Sequence, residues 1–90
     1  MIISPGVTAL WRSQSGTMVL TIVSRIRRAG QPARERTKYI GTYATATENR
    51  FLTAAQELIR WRRDELLEAA MSPPAQTRRA LAQAWREIKP

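Results

Sequence analysis

The feature that most constrains the fold of this chain is a long run without glycine or proline, from residue 46 to residue 71. Its apolar side chains recur at helical spacing and form one stripe, which contains Leu52, Ala55, Ile59 and Leu66. This pattern predicts a single helix about 39 Å long, since each helical residue adds about 1.5 Å. Such a helix is longer than a small three-stranded sheet, so we expect its C-terminal part to project beyond the sheet or to meet a partner.

Capping residues mark both ends of this helix. Thr45 and Glu48 have the spacing of a capping box, which predicts that the helix begins near Ala46. Ser72 and the two prolines after it predict a break, followed by a shorter helix over residues 73–89. The apolar face of that shorter helix contains Leu81, Ala84, Trp85 and Ile88.

The first half of the chain has the composition of β-strands. The segment 17–28 is rich in β-branched side chains, and its even positions are more apolar than its odd positions. Because successive side chains of a strand point to opposite faces, we expect the even positions in the core and Arg25 and Arg27 on the open face. Two further strands are predicted, at residues 7–12 and 34–44. The turns that join the three strands are predicted at residues 13–16 and 29–33.

These segments predict an α+β fold in a single domain, residues 1–90. We expect a three-stranded antiparallel sheet in residues 1–45, with the long helix of residues 46–71 packed on it and a shorter C-terminal helix after it. A chain of this length suits one domain and can fold without covalent staples, which are usually needed only below about 40 residues.

The side-chain inventory argues against catalysis. The chain has no cysteine and no histidine, so it lacks disulfides, thiolate metal ligands and the commonest general base. None of its seven carboxylates has the spacing of a metal site or of an acid/base pair. We therefore expect no enzyme activity, no metal and no cofactor. Because there is no apolar run of about 18 residues and no signal sequence, we also expect no membrane span and a cytoplasmic location.

Positive charge is concentrated in the first half of the chain. The net charge is +8, and residues 1–46 hold seven basic residues with Glu35 as the only acid, whereas residues 47–71 are nearly balanced. Arginine supplies most of this charge, and it suits bidentate contacts to phosphates and base edges. The segregation predicts a polyanionic partner. The expected nucleic-acid-binding residues are Arg12, Arg25, Arg27, Arg28, Arg34, Arg36, Lys38 and Tyr39.

The phase of the last predicted strand has two solutions. If Ile40 faces the core, Arg36 and Lys38 share its parity and point inward or to the rim, while Tyr39 lies on the open face. If Tyr39 and Tyr43 face the core, the two basic residues join the open face. A β-bulge would satisfy both demands.

Trp61 lies off the apolar stripe of the long helix, among Arg60, Arg62 and Arg63. Four successive residues spread around a helix, so this group is not a single patch. The acidic residues around it favour local ion pairing. We expect Trp61 to pack in the core or between the helices, or else to contact a partner.

The run 38–48 reads K-Y-I-G-T-Y-A-T-A-T-E, and a helix that contains Ala54 and Ala55 is expected after it. This pattern resembles the last strand and the start of the helix in AP2-type DNA-binding domains, over about residues 16–58. Those domains share a plan of three strands and one helix with the arm-type binding domains of phage integrases. The resemblance implies a sheet that lies in the major groove of DNA, with Arg25, Arg27 and Tyr39 on the DNA-facing side.

A second resemblance concerns residues 20–43, where a strand is followed by Gly30, a basic stretch and the pair Ile40-Gly41. This segment is similar to the N-terminal hairpin of some insertion-sequence transposases. Both resemblances imply a phage or another mobile element as the setting.

The function expected from these features is nucleic-acid binding by the basic face of the sheet. Double-stranded DNA is favoured over RNA, in an accessory or regulatory factor of a phage or mobile element. The alternative is a small phage or plasmid module that binds a host protein complex and inhibits it. A homodimer also fits the exposed apolar length of the long helix.

Overall fold

The structure is a computed structural model that describes residues 1–66 and 78–90. It confirms the predicted α+β fold, in which an antiparallel sheet has its strands in chain order and helices against one of its faces. The strands and helices are β1 Ile2–Ser4, β2 Val7–Gln14, β3 Thr17–Ile26, β4 Arg34–Thr42, α1 Glu48–Leu66 and α2 Arg78–Ile88. α1 packs on the sheet, and α2 packs on α1.

The sheet has four strands, and the prediction of three is wrong because it missed β1. This strand has three residues and is joined to β2 by a turn at Pro5 and Gly6. The Met1 amine donates a hydrogen bond to the Ala9 carbonyl (2.8 Å), and Ile3 is buried in the core. A segment this short is not long enough to show the alternation of apolar and polar side chains by which a strand is recognised.

The turn between β2 and β3 is tighter than the predicted turn at residues 13–16. Ser15 and Gly16 occupy its two central positions with φ values of +52° and +82°. Positive φ at both positions is typical of a type I′ turn, whose twist matches that of the flanking strands. β2 therefore continues to Gln14, and β3 begins at Thr17.

A β-bulge in β4 decides which side chains of this strand face the core. Thr21 pairs with Tyr39 and Leu20 pairs with Gly41, so Ile40 is an extra residue between two pairs. Ile40 is 1% exposed and belongs to the core, whereas Tyr39 is exposed on the opposite face. Of the two phases open for this strand, the one with Ile40 in the core is correct.

Gly41 packs closely against the loop that leads to α1. A Cβ atom at this position would lie 2.7 Å from the Ala46 nitrogen and 2.7 Å from Thr45 Oγ1. Both distances are shorter than van der Waals contact, so glycine is required for this close approach. The chain leaves the sheet here, and β4 ends at Thr42, two residues earlier than predicted. Its neighbour β3 ends at Ile26, also two residues early.

α1 begins at Glu48, two residues after the predicted start. The Thr47 hydroxyl accepts a hydrogen bond from the backbone N–H of Arg50 (3.3 Å), which makes Thr47 the N-cap. The predicted cap, Thr45, instead accepts a hydrogen bond from the N–H of Thr42 (2.8 Å) in the preceding turn. The predicted capping box is therefore wrong, because the threonine two residues further along takes the capping position.

Parts of both predicted helices lie outside the described residues. These parts are residues 67–71 of the long helix and residues 73–77 of the shorter helix. Within the described part of the chain, α1 runs to Leu66, and α2 ends at Ile88, one residue before the predicted end.

The core lies between the sheet and α1, and α2 adds to it from the side of α1. The even positions of β3 from Leu20 onward are buried as predicted, and Leu20 and Phe51 of α1 are fully buried in one cluster. Trp85 of α2 packs against Phe51 with ring centroids 5.5 Å apart. The indole N–H of Trp11 in β2 donates a hydrogen bond to the Ile88 carbonyl (2.9 Å), which connects the end of α2 to the sheet.

Candidate nucleic-acid interface

The strand residues of the predicted site divide between the two faces of the sheet. The open face, on which neither described helix packs, carries Arg12, Arg25 and Tyr39. The helix side carries Arg34, Arg36 and Lys38. The expectation that one open face carries the basic residues of both long strands is therefore wrong for β4. The physical reason is the phase of β4 below the bulge, since these basic residues pair with the core-facing positions of β3.

Five arginines nevertheless meet at one end of the β3–β4 hairpin. The last three pairs of this hairpin are Ser24 with Arg36, Arg25 with Glu35, and Ile26 with Arg34. Two further arginines follow directly in the loop after β3. We call this group the hairpin end; it consists of Arg25, Arg27, Arg28, Arg34 and Arg36. Its members lie on both faces of the hairpin, so it is an edge of the molecule and not a flat patch.

Two carboxylates partly neutralise the hairpin end. The Nε and Nη2 atoms of Arg25 lie 2.9 and 2.7 Å from one oxygen of Glu35. The carboxylate of Glu65 in α1 pairs with Arg34, and the Glu65 backbone carbonyl accepts a hydrogen bond from Arg28. The side chains of Arg25 and Glu35 are 52% and 41% exposed, so water and salt weaken this pair.

The other two arginines of the hairpin end form no ion pair with the residues that the structure describes. Arg27 is exposed beyond the end of β3. The Cζ atom of Arg36 lies 5.5 Å from the ring centroid of Trp61, and the Cζ atom of Arg34 lies 6.0 Å from it. A cation–π contact orients a guanidinium and leaves its charge in place. Arg27 and Arg36 therefore remain available to an anionic ligand.

A ladder of side chains connects β4 to α1 along the helix side. Its rungs are Lys38 with Glu57, Arg36 with Trp61, and Arg34 with Glu65. Two residues of a strand advance about 6.7 Å, and four residues of a helix advance about 6 Å. Because these steps are nearly equal and the two elements run in opposite directions, three successive rungs stay aligned. We refer to these contacts as the ladder.

The first rung perturbs a titratable group. The Lys38 ammonium lies 2.8 Å from the Glu57 carboxylate. The hydrogen bond from Lys38, followed by its positive charge, lowers the pKa of Glu57 from its ordinary value of 4.5. Lys38 is thus engaged with α1 and does not belong to the hairpin end.

Reasoning from the sequence missed the α1 side of the ladder. Trp61 contacts the arginines of β4, an arrangement that differs from packing in the core or between helices. The sequence contained a signal for the ladder in two matching periods. The ladder residues recur at every second position in 34–38 and at every fourth position in 57–65. Only the packing of α1 across β4 shows that these two series meet.

Arg12 and Tyr39 lie away from the hairpin end on the open face. Arg12 pairs with Val19 near the opposite end of β3 and forms no ion pair within the described ranges 1–66 and 78–90. Tyr39 is 59% exposed and pairs with Thr21. The structure therefore brings five of the eight predicted residues together and leaves Arg12, Lys38 and Tyr39 apart from them.

Two further features of the described residues bear on function. Residues 1–66 and 78–90 contain no group of three acidic side chains placed to hold a metal ion. Neither of the helices in these ranges is long and apolar enough to cross a membrane.

Comparisons with known proteins gave no match. No model of a protein family matches the chain, and no curated protein or solved structure matches it. The resemblances of residues 16–58 to AP2-type domains and of residues 20–43 to a transposase hairpin therefore stay predictions from the sequence.

Proposed function

We propose that this protein binds nucleic acid, with duplex DNA as the ligand, through the hairpin end. The observation that carries the proposal is the meeting of five arginines within the last three pairs of the hairpin and its loop, against the carboxylates of Glu35 and Glu65. Phosphate contacts by such cations release condensed counterions, which supplies most of the affinity of a non-specific complex.

The shape of the hairpin end supports a groove as its target. The major groove of B-DNA is about 12 Å wide and admits a two-stranded β-ribbon. Arg25 and Arg36 lie on opposite faces of the hairpin. Because Trp61 and Glu65 of α1 contact the helix side of the hairpin, its open face and its loop would enter the groove, and Arg36 would contact phosphates at the edge of the groove. The factor we propose is an accessory or regulatory protein of a phage or mobile element.

The internal ion pairs of the hairpin end are compatible with this role. The pair of Arg25 with Glu35 is half-exposed, and exposed pairs of this kind typically contribute about 0.2–1 kcal/mol. A DNA phosphate can replace the carboxylate at a small energetic cost. Arg36 keeps its contact with Trp61 on one side, so that its charge is held in a defined orientation.

Binding to short duplex DNA over a series of salt concentrations tests the proposal. The variant Arg27→Gln with Arg36→Gln removes two charges from the hairpin end, and the control Arg60→Gln with Lys89→Gln removes two exposed charges elsewhere. We expect the slope of log K against log salt to fall in magnitude by about 1.8 in the hairpin variant, since each phosphate contact contributes about 0.9. The control should change the slope much less.

Two results would refute the hairpin end as the binding site. One is the absence of any binding to duplex DNA at low salt. The other is an equal loss of affinity and slope in the hairpin variant and its control, because only net charge would then matter.

A protein-interaction module is the second candidate, and one observation favours it. Arg25, Arg34 and Lys38 are each paired with a carboxylate of the same chain, which reduces their availability to phosphates. This candidate predicts a stoichiometric host protein that stays bound after nuclease treatment of the lysate, together with no binding to purified DNA. Retention of purified DNA with the salt slope described above would exclude it as the main function.

A further inference from the structure

We propose that the open face next to the hairpin end binds unpaired bases, so that the complete ligand is duplex DNA with a single-stranded extension. This inference rests on the proposed function and narrows its ligand. It starts from Tyr39, whose side chain is 59% exposed on the open face. Tyr39 lies on the same strand as Arg34 and Arg36 of the hairpin end.

The centre of the open face has the chemistry of a surface for bases. Its two central rows contain no charged side chain, and they consist of Leu10, Thr21 and Tyr39, and of Thr8, Val23 and Thr37. An aromatic ring stacks on any base, and the hydroxyls of Thr8 and Thr37 can donate and accept hydrogen bonds, whereas the Thr21 hydroxyl is buried. A surface that contacts only phosphates would need neither.

Cations lie at both ends of this uncharged centre. Arg12 is at one end, opposite Val19, and Arg25 is at the other end. Among the described residues of this face, Glu35 is the only acid, and it is already paired with Arg25. The face therefore complements a polyanion whose backbone contacts the two ends and whose bases contact the middle.

The distances fit a short stretch of one DNA strand. Tyr39 is four residues from Glu35 along β4, which corresponds to about 13 Å. A strand at B-form spacing advances about 3.4 Å per nucleotide, so about four nucleotides cover this length. A strand that leaves a duplex held at the hairpin end therefore reaches Tyr39 within a few nucleotides.

The position of Tyr39 on the sheet determines whether it can contact paired or unpaired bases. In an intact duplex the faces of the bases are covered by their neighbours, so an aromatic side chain on a flat sheet cannot stack on them. The ring of Tyr39 is therefore available only to unpaired bases, which single-strand-binding proteins stack on exposed aromatic residues.

Three DNA probes test the inference with the full chain. They are a blunt duplex, the same duplex with a single-stranded extension of about six nucleotides, and the extension alone. The key variant is Tyr39→Ala. Tyr43→Ala is the matched control, because Tyr43 is 57% exposed and its ring packs against Trp11 with centroids 4.6 Å apart. Tyr39→Phe keeps the ring and removes the hydroxyl.

We expect the extension to increase the affinity of the wild-type protein for the duplex about tenfold, which is typical of one stacked base. Tyr39→Ala should remove this gain and leave the affinity for blunt duplex unchanged, whereas Tyr43→Ala and Tyr39→Phe should retain the gain. No gain from the extension, a gain that survives in Tyr39→Ala, or an equal loss for both duplexes would overturn the inference.

These outcomes are separate from failure of the proposed function. If the hairpin variant still loses affinity for blunt duplex while the extension has no effect, only the inference about unpaired bases fails. If wild-type protein binds none of the three probes, the proposed function fails as well.

Discussion

The two faces of β4 carry polar side chains in different environments. On the helix side, each basic residue meets a side chain of α1, which is a carboxylate for Arg34 and Lys38 and an aromatic ring for Arg36. On the open face, Tyr39 is exposed, and neither described helix packs there. Whether a basic side chain is available to a ligand therefore depends on which side chain of α1 lies opposite it. The number of charges in the sequence does not show which basic residues are available.

The largest effect on the free energy of unfolding should come from Ile40, the bulged residue that faces the core. Ile40→Ala removes a buried side chain, and we expect the free energy of unfolding to fall by about 2–5 kcal/mol. Tyr39→Ala, one position away on the other face, should change it by less than about 1 kcal/mol. Urea denaturation of both variants measures the difference. Equal losses would show that the assignment of faces is incorrect.

A smaller effect is expected at the middle rung of the ladder. A cation–π contact at an exposed site contributes about 0.5–1 kcal/mol. Trp61→Leu and Arg36→Gln should therefore be coupled by about this amount in a double-mutant cycle of unfolding free energies. Arg60→Gln is the control, since Arg60 is the exposed neighbour of Trp61 in α1. A coupling to Arg60 as large as that to Arg36 would contradict the ladder.

The smallest effect should be the pH dependence of the first rung. Folding lowers the pKa of Glu57, so the Lys38 contact stabilises the protein above the ordinary value of 4.5 and is lost as the pH falls through the lowered pKa. The melting temperature of the wild type should therefore exceed that of Glu57→Gln near neutral pH, and this difference should shrink in acid. In a Lys38→Met background the pH dependence of this difference should be much smaller, because only the charges of Arg36 and Arg60 then lower the pKa of Glu57; an unchanged pH dependence would assign it to another group.

Much of the fold follows from local patterns in the sequence. The β-branched segment around Leu20 and the glycine-free run from residue 46 predict a strand and a helix, and both are present. The even positions of β3 are buried, and Arg25 lies on the open face as predicted. These features depend on the periodicity of a single element, which a sequence displays directly.

The features that the sequence predicted wrongly or did not predict depend on a single residue or on the packing of two elements against each other. The strand β1 is too short to have a period, and the choice between Thr45 and Thr47 as cap depends on where the preceding turn closes. The phase of β4 depends on a single extra residue, Ile40. The ladder requires the packing of α1 across β4, about which neither segment alone carries information.

The bulge in β4 also determines how the charge of the whole sheet is laid out. If β3 and β4 paired continuously, without the bulge, Ile40 would lie opposite Thr21, and the three basic residues of β4 would turn to the same side as Arg25; these are Arg34, Arg36 and Lys38. The sheet would then present a flat cationic surface to solvent, and three side chains of α1, those of Glu57, Trp61 and Glu65, would lose their partners in β4. The bulge at Ile40 therefore replaces a flat cationic surface with a narrow cationic edge. A redesign that removes the bulge would change the type of surface without adding or removing a single charge.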